Sequence, residues 1–93
     1  MNTAQIILSQ IKTLDPMATF AWGAKDMIRI TDGLKFKTSG MVKWKGYVEV
    51  TLNGSDLYDI DFYKIRGAKL TYTEQVTDVF VEDLVSTIDS VVG

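Results

Sequence analysis

Glu49, Asp59 and Asp61 are the side chains whose spacing first suggests chemistry in this 93-residue sequence. Each alternates with apolar neighbours: Val48 and Val50 flank Glu49, while Ile60 lies between Asp59 and Asp61. All three are therefore expected on the wet face of a β-hairpin, with the two aspartates about 7 Å apart along one strand and Glu49 across from one of them. A Mg²⁺ or Ca²⁺ site needs oxygens that converge on one point, which a flat strand face provides poorly. An acid and base pair needs a cleft and opposed environments, and no pattern here indicates either. Lys35, Lys37 and Lys64 can supply the compensating charge as ordinary surface ion pairs. The cluster is read as a solvated acidic surface, with no catalytic residue, metal site or cofactor assigned.

Lys43-Trp44-Lys45, with Lys35, Lys37 and Tyr47 close in sequence, is the stronger binding motif. An indole between two ammonium groups can stack on a nucleobase while the lysines meet phosphate. It can equally anchor a protein partner, or fold over the edge of the core. Gly23-Ala24-Lys25 lacks the length and the following Ser/Thr of a phosphate loop. The charge density of Asp78, Glu82, Asp83 and Asp89 is too low for a DNA mimic.

Composition removes several function classes. The sequence has no cysteine and no histidine, which excludes disulfides, the usual zinc ligands and any Ser-His or Cys-His nucleophile. The net charge of −2 is unevenly placed: residues 25–69 carry nine Lys/Arg against six Asp/Glu, and residues 70–93 carry five acids and no base. Overall acidity favours a protein partner over nucleic acid. No apolar window approaches the roughly 18 residues of a membrane span, and no basic segment precedes an apolar run at the N-terminus. A cytoplasmic protein with no membrane partner is expected.

The elements that must position these residues follow from periodicity. Ala4, Ile7, Leu8, Ile11 and Leu14 recur at helical spacing over residues 3–14, and Asp15-Pro16 ends that helix. Phe20 and Trp22 are read on one face of a short strand. Thr31-Asp32-Gly33 is read as a three-residue loop placing Ile30 opposite Leu34 and Ile28 opposite Phe36. The central hairpin runs from Tyr47 to Ile65. A two-residue Asn53-Gly54 turn would mix its faces, so the loop is either Asn53 to Ser55 or Asn53 to Leu57. From Phe20 to Tyr72 nearly every core candidate is even-numbered, including Leu70 and Tyr72. Ser39 to Gly46 is a loop. A weaker strand covers residues 69–76, and Leu84, Val85, Ile88, Val91 and Val92 mark a C-terminal helix starting near Val79, capped by Thr77 or Asp78. The expectation is a single α+β domain over residues 1–93. Its two layers are an antiparallel sheet of five to six strands and the N- and C-terminal helices on one face.

Three segments carry a resemblance: Phe20-Ala21-Trp22-Gly23-Ala24-Lys25-Asp26-Met27, the Gly33 to Lys37 strand, and Leu52 through Phe62. With Val79-Phe80-Val81-Glu82-Asp83-Leu84, they make the chain similar to a family of small uncharacterised proteins carried by bacteriophages and plasmids. The likeness covers most of the chain from about Thr19 onward, and the Gly-Ala-Lys segment is its most particular part. Trp22 and the Lys43-Trp44-Lys45 loop depart from the pattern. The resemblance implies a phage or mobile-element setting and brings no activity, ligand or catalytic residue. The reading is of a non-enzymatic accessory protein that binds a protein partner, or itself, through the Trp44 loop or an exposed sheet edge. The alternative is a weak single-stranded nucleic-acid binder using Lys43-Trp44-Lys45.

Overall fold

Asn2 starts the first helix, α1 (Thr3–Leu14), with a reciprocal cap: its side chain accepts from the Gln5 N–H at 2.9 Å, and the Gln5 side chain accepts from the Asn2 N–H at 3.2 Å. The computed structural model describes residues 2–39 and 42–93; Gly40 and Met41 of the expected Ser39–Gly46 loop lie outside them. After α1, the Asp15 carboxylate holds the Met17 N–H at 3.0 Å, and the turn leads into a second helix, α2 (Ala18–Trp22).

That helix replaces the strand expected at Phe20 and Trp22. Residues two apart on a helix point to nearly opposite sides, so Trp22 is buried while Phe20 is 79 % exposed. Alternation over three residues cannot separate the two periods, and alanines at 18 and 21 favour the helix. Gly23 closes it in the left-handed region, φ 61°, with its N–H on the Phe20 carbonyl.

Five strands follow in an antiparallel meander of spatial order equal to chain order: β1 (Lys25–Ile30), β2 (Gly33–Lys37), β3 (Tyr47–Leu52), β4 (Tyr58–Arg66) and β5 (Lys69–Val79). A 3₁₀ turn (Val81–Asp83) then enters α3 (Leu84–Val92). The β3–β4 hairpin has Leu52 opposite Tyr58, so of the two admissible loops the chain uses the five-residue one. Asn53 organises it, its side-chain oxygen accepting from the Ser55 and Leu57 N–H groups. The even-numbered strand residues Leu34, Phe36, Val48, Val50, Tyr58, Ile60 and Phe62 enter one core with Ala4, Ile7, Ile11, Trp22, Leu84, Ile88 and Val92 of the helices.

The even-number rule fails in both outer strands, in β1 through a shorter turn and in β5 through an irregularity in pairing. In the β1–β2 turn Asp32, not Gly33, takes the positive φ (53°), which shortens the loop and sets Ile30 opposite Gly33 and Ile28 opposite Lys35. A one-residue slip exchanges faces, and Ile28 is accordingly exposed. Gly33 serves packing instead: a Cβ there would lie 2.3 Å from the Val50 carbonyl oxygen. In β5, Phe62 faces Glu74 while Tyr63 faces Tyr72, leaving Thr73 as an extra bulge residue. Leu70 and Tyr72, expected in the core, are therefore exposed. A second irregularity sets Tyr58 opposite Val79 and Ile60 opposite Val76, so β5 runs beyond its expected end and the C-terminal helix begins at Leu84 rather than near Val79.

Candidate functional site

Strand alternation sends Lys35 and Lys37 of β2, Tyr47 and Glu49 of β3, and Asp61 and Tyr63 of β4 to the face opposite the core, and the Thr73 bulge adds Tyr72. Three tyrosines from adjacent strands thus lie side by side. The Tyr47 and Tyr63 rings stack with centroids 5.5 Å apart, and Tyr72 tilts against Tyr63 at 5.7 Å. Tyr63 in the middle is 2 % exposed, whereas Tyr72 is 64 % exposed. The Lys35 ammonium sits 5.1 Å from the Tyr47 centroid and 5.6 Å from that of Tyr63, and Lys37 sits 5.7 Å from Tyr47.

The Tyr63 hydroxyl donates to Glu49 Oε2. Burial pushes its phenol far above the ordinary range, and the Glu49 hydrogen bond and charge push it further. Tyr58, whose hydroxyl donates to Gln10, is also raised by burial, with that bond partly offsetting it. An unfolded tyrosine ionises near pH 10. Above that pH the unfolded chain releases a proton that native Tyr63 keeps, so stability is whole below about pH 10 and falls as the pH rises. Tyr63→Phe is expected to flatten that alkaline decline relative to wild type, measured by urea denaturation between pH 8 and 11; an unchanged slope would place the effect elsewhere.

The three carboxylates do not converge. Glu49 stands opposite both Lys35 and Asp61 in register and holds Tyr63, while Asp61 accepts from the Gln75 amide at 2.7 Å. Asp59 is turned to the other end of the sheet, where it accepts from the Asn53 side chain at 3.0 Å and the Asp78 N–H at 3.1 Å. Among the described residues, no three acidic side chains are grouped to hold a metal ion.

The Lys43-Trp44-Lys45 motif is divided by the fold. Trp44 is half-buried, edge-on to Phe62 on the core side at 5.8 Å, with its indole N–H on Thr73 Oγ1 and its backbone N–H on the Val92 carbonyl. Buried Thr38 pins the same loop by accepting from the Gly46 N–H at 3.0 Å. Trp44 therefore does not share a face with Tyr47, and Lys43 is exposed. Lys45 instead joins Lys37, Tyr47, Lys64 and Arg66 around a cleft of about 330 Å³ at one end of the sheet. Lys64, Arg66 and Lys69 border a neighbouring hollow with Thr71. Of the motif residues, Lys35, Lys37, Tyr47 and Lys45 are brought together, and Tyr63, Tyr72, Lys64 and Arg66 are additions. The odd positions of Tyr47 and Tyr63 carried a signal for the tyrosine face; Tyr72 was hidden by the bulge.

A second surface lies among the helices. Leu14, Ala18, Ala21, Trp22 and Val85 line a groove of about 390 Å³, bordered by Asp15, Glu82 and Asp89 and, among the described residues, by no lysine or arginine. Asp89 also accepts the Trp22 indole N–H at 3.2 Å. Met17 and Phe20, on the same helical segment, are exposed. No family model, curated protein or solved structure matches the chain.

Proposed function

We propose that the chain is a non-enzymatic protein-interaction module, built as two layers with its helices on one face of the sheet. It receives a basic, apolar-anchored segment of a partner in the groove between α1, α2 and α3. A phage or mobile-element accessory role in the host cytoplasm belongs to the same reading and rests on the sequence resemblance. The observation that carries the interaction reading is the groove itself, where small and apolar side chains floor a hollow whose charged border is wholly acidic. Trp44 is a weaker anchor, because both its ring and its N–H are engaged within the chain. β5 has a free outer edge among the described strands, which supports self-association as a second reading, yet two interruptions of its ladder discourage an added strand.

Ala21→Arg tests the groove, since Ala21 is exposed and the longer side chain fills the hollow with a charge of the wrong sign for a basic guest. In pull-downs from host lysate, a partner retained by wild type and by Tyr72→Ala is expected to be lost with Ala21→Arg. The same proteins recovered by all three would sink the groove reading. A concentration-dependent dimer without any captured partner would favour the edge of β5.

A further inference from the structure

We infer that the open sheet face and the cleft at its basic end form a binding surface for single-stranded nucleic acid. Two exposed or half-exposed rings, Tyr72 and Tyr47, flank the buried Tyr63, which positions both and is itself too enclosed to meet a base. Bases splayed from a single strand stack on such rings without regard to sequence. Phosphates need cations beside the rings, and the fold supplies them: Lys35 and Lys37 lie within 5.7 Å of the Tyr47 centroid, and Lys37, Lys45 and Arg66 border the adjoining cleft with Lys64, whose ammonium lies 5.7 Å from the Trp44 centroid; among the described residues no acid lines that cleft.

This charge is segregated by the meander. β1 begins, β2 ends, β3 begins, β4 ends and β5 begins at one end of the sheet, which gathers Lys37, Lys45, Lys64, Arg66 and Lys69 there, with Lys25 and a single acid, Asp26, at its β1 corner. The opposite end carries Asp32, Asp56, Asp59 and Asp78 in its turns and strand ends. An acidic chain thus keeps one cationic end, and a strand is expected to cross the tyrosines on that side. Glu49 and Asp61 mark its border, each already holding a neighbour, the Tyr63 hydroxyl and the Gln75 amide. Duplex DNA fits poorly because its bases are stacked on one another. An acidic peptide would satisfy the lysines but would leave Tyr72 without a role.

Fluorescence anisotropy with a labelled oligo(dT) of about 12 nucleotides decides the matter. Three or four phosphate contacts predict that raising salt from 50 to 200 mM weakens binding roughly 20- to 50-fold. Tyr72→Ala, an exposed position where folding is not at stake, should weaken it roughly 5- to 150-fold at constant salt. Lys37→Ala should lower the salt slope by about 0.7. Ala21→Arg should bind the oligonucleotide as wild type does, which separates this surface from the helical groove. No measurable binding, equal affinity for a duplex of the same length, salt-independent binding, or binding indifferent to Tyr72→Ala would each overturn the proposal. So would a poly-glutamate peptide that binds better than oligo(dT).

Discussion

Phe62→Ala is expected to lower the unfolding free energy by about 3–5 kcal/mol, a large part of the roughly 5–15 kcal/mol available to a domain of this size. Phe62 is fully buried on β4, the strand flanked by both β3 and β5. Its ring meets that of Trp44 nearly at right angles, and Val48 faces it across the β3–β4 ladder. Removing it leaves a cavity that the strands on either side cannot collapse into, because their ladders fix the spacing at about 4.8 Å. The loss should therefore sit toward the upper end of the range, and the Trp44 loop should loosen with it. Urea denaturation followed by tryptophan fluorescence measures this, with an unchanged m-value showing that the midpoint shift is a stability change. Tyr72→Ala, by contrast, should stay within about 0.5 kcal/mol, since Tyr72 is a large but exposed ring. A Phe62→Ala loss no greater than that of Tyr72→Ala would mean that the even face of β4 does not form the centre of the core.

The same contrast explains which parts of the fold were legible in the sequence. Val48, Val50, Ile60 and Phe62 lie in the two inner strands that a regular ladder joins, so a parity rule carries from one to the next. Parity is a running count, and any extra residue resets it. The count breaks at Asp32, which turns the chain in two residues where three were expected, and at Thr73, which widens β5 by one. Ile28 and Tyr72 change faces for that reason alone. Nothing in local hydrophobicity marks either break, although aspartate tolerates positive φ better than most residues; Asp26, Asp32, Asp56 and Asp78 all adopt it. The candidate site inherits the pattern. Lys35, Lys37 and Tyr47 were legible from strand spacing, whereas Tyr72 depends on the bulge, and the helical groove depends on a helix hidden in a segment too short to show its period.

Gly23→Ala is expected to be the most damaging glycine replacement, for reasons that two other glycines allow to be separated. Gly23 has φ +61°, and an added Cβ would lie 2.2 Å from the Ser39 carbonyl oxygen. The left-handed conformation alone costs an L-residue about 1–2 kcal/mol. The contact adds about 1–3 kcal/mol, because its partner is backbone and cannot rotate aside. Ser39 is moreover fastened at this point, its hydroxyl donating to the Gly23 carbonyl at 2.6 Å and its N–H to the Trp22 carbonyl at 3.1 Å. The sum is about 2–5 kcal/mol. Gly67 shares the conformation, φ +59°, with nothing within 4 Å of its added Cβ, so Gly67→Ala should show the conformational part alone, about 1–2 kcal/mol. Gly54 has open space and no positive φ, so Gly54→Ala should be neutral or stabilising by up to about 1 kcal/mol through the unfolded chain. Denaturation midpoints for the three variants should therefore fall in the order Gly54, Gly67, Gly23, with the Gly67-to-Gly23 interval measuring the latch between the end of α2 and the residue after Thr38. If Gly23→Ala proves no worse than Gly67→Ala, that latch gives way under load, and Gly23 serves the turn through its conformation rather than through the contact it makes.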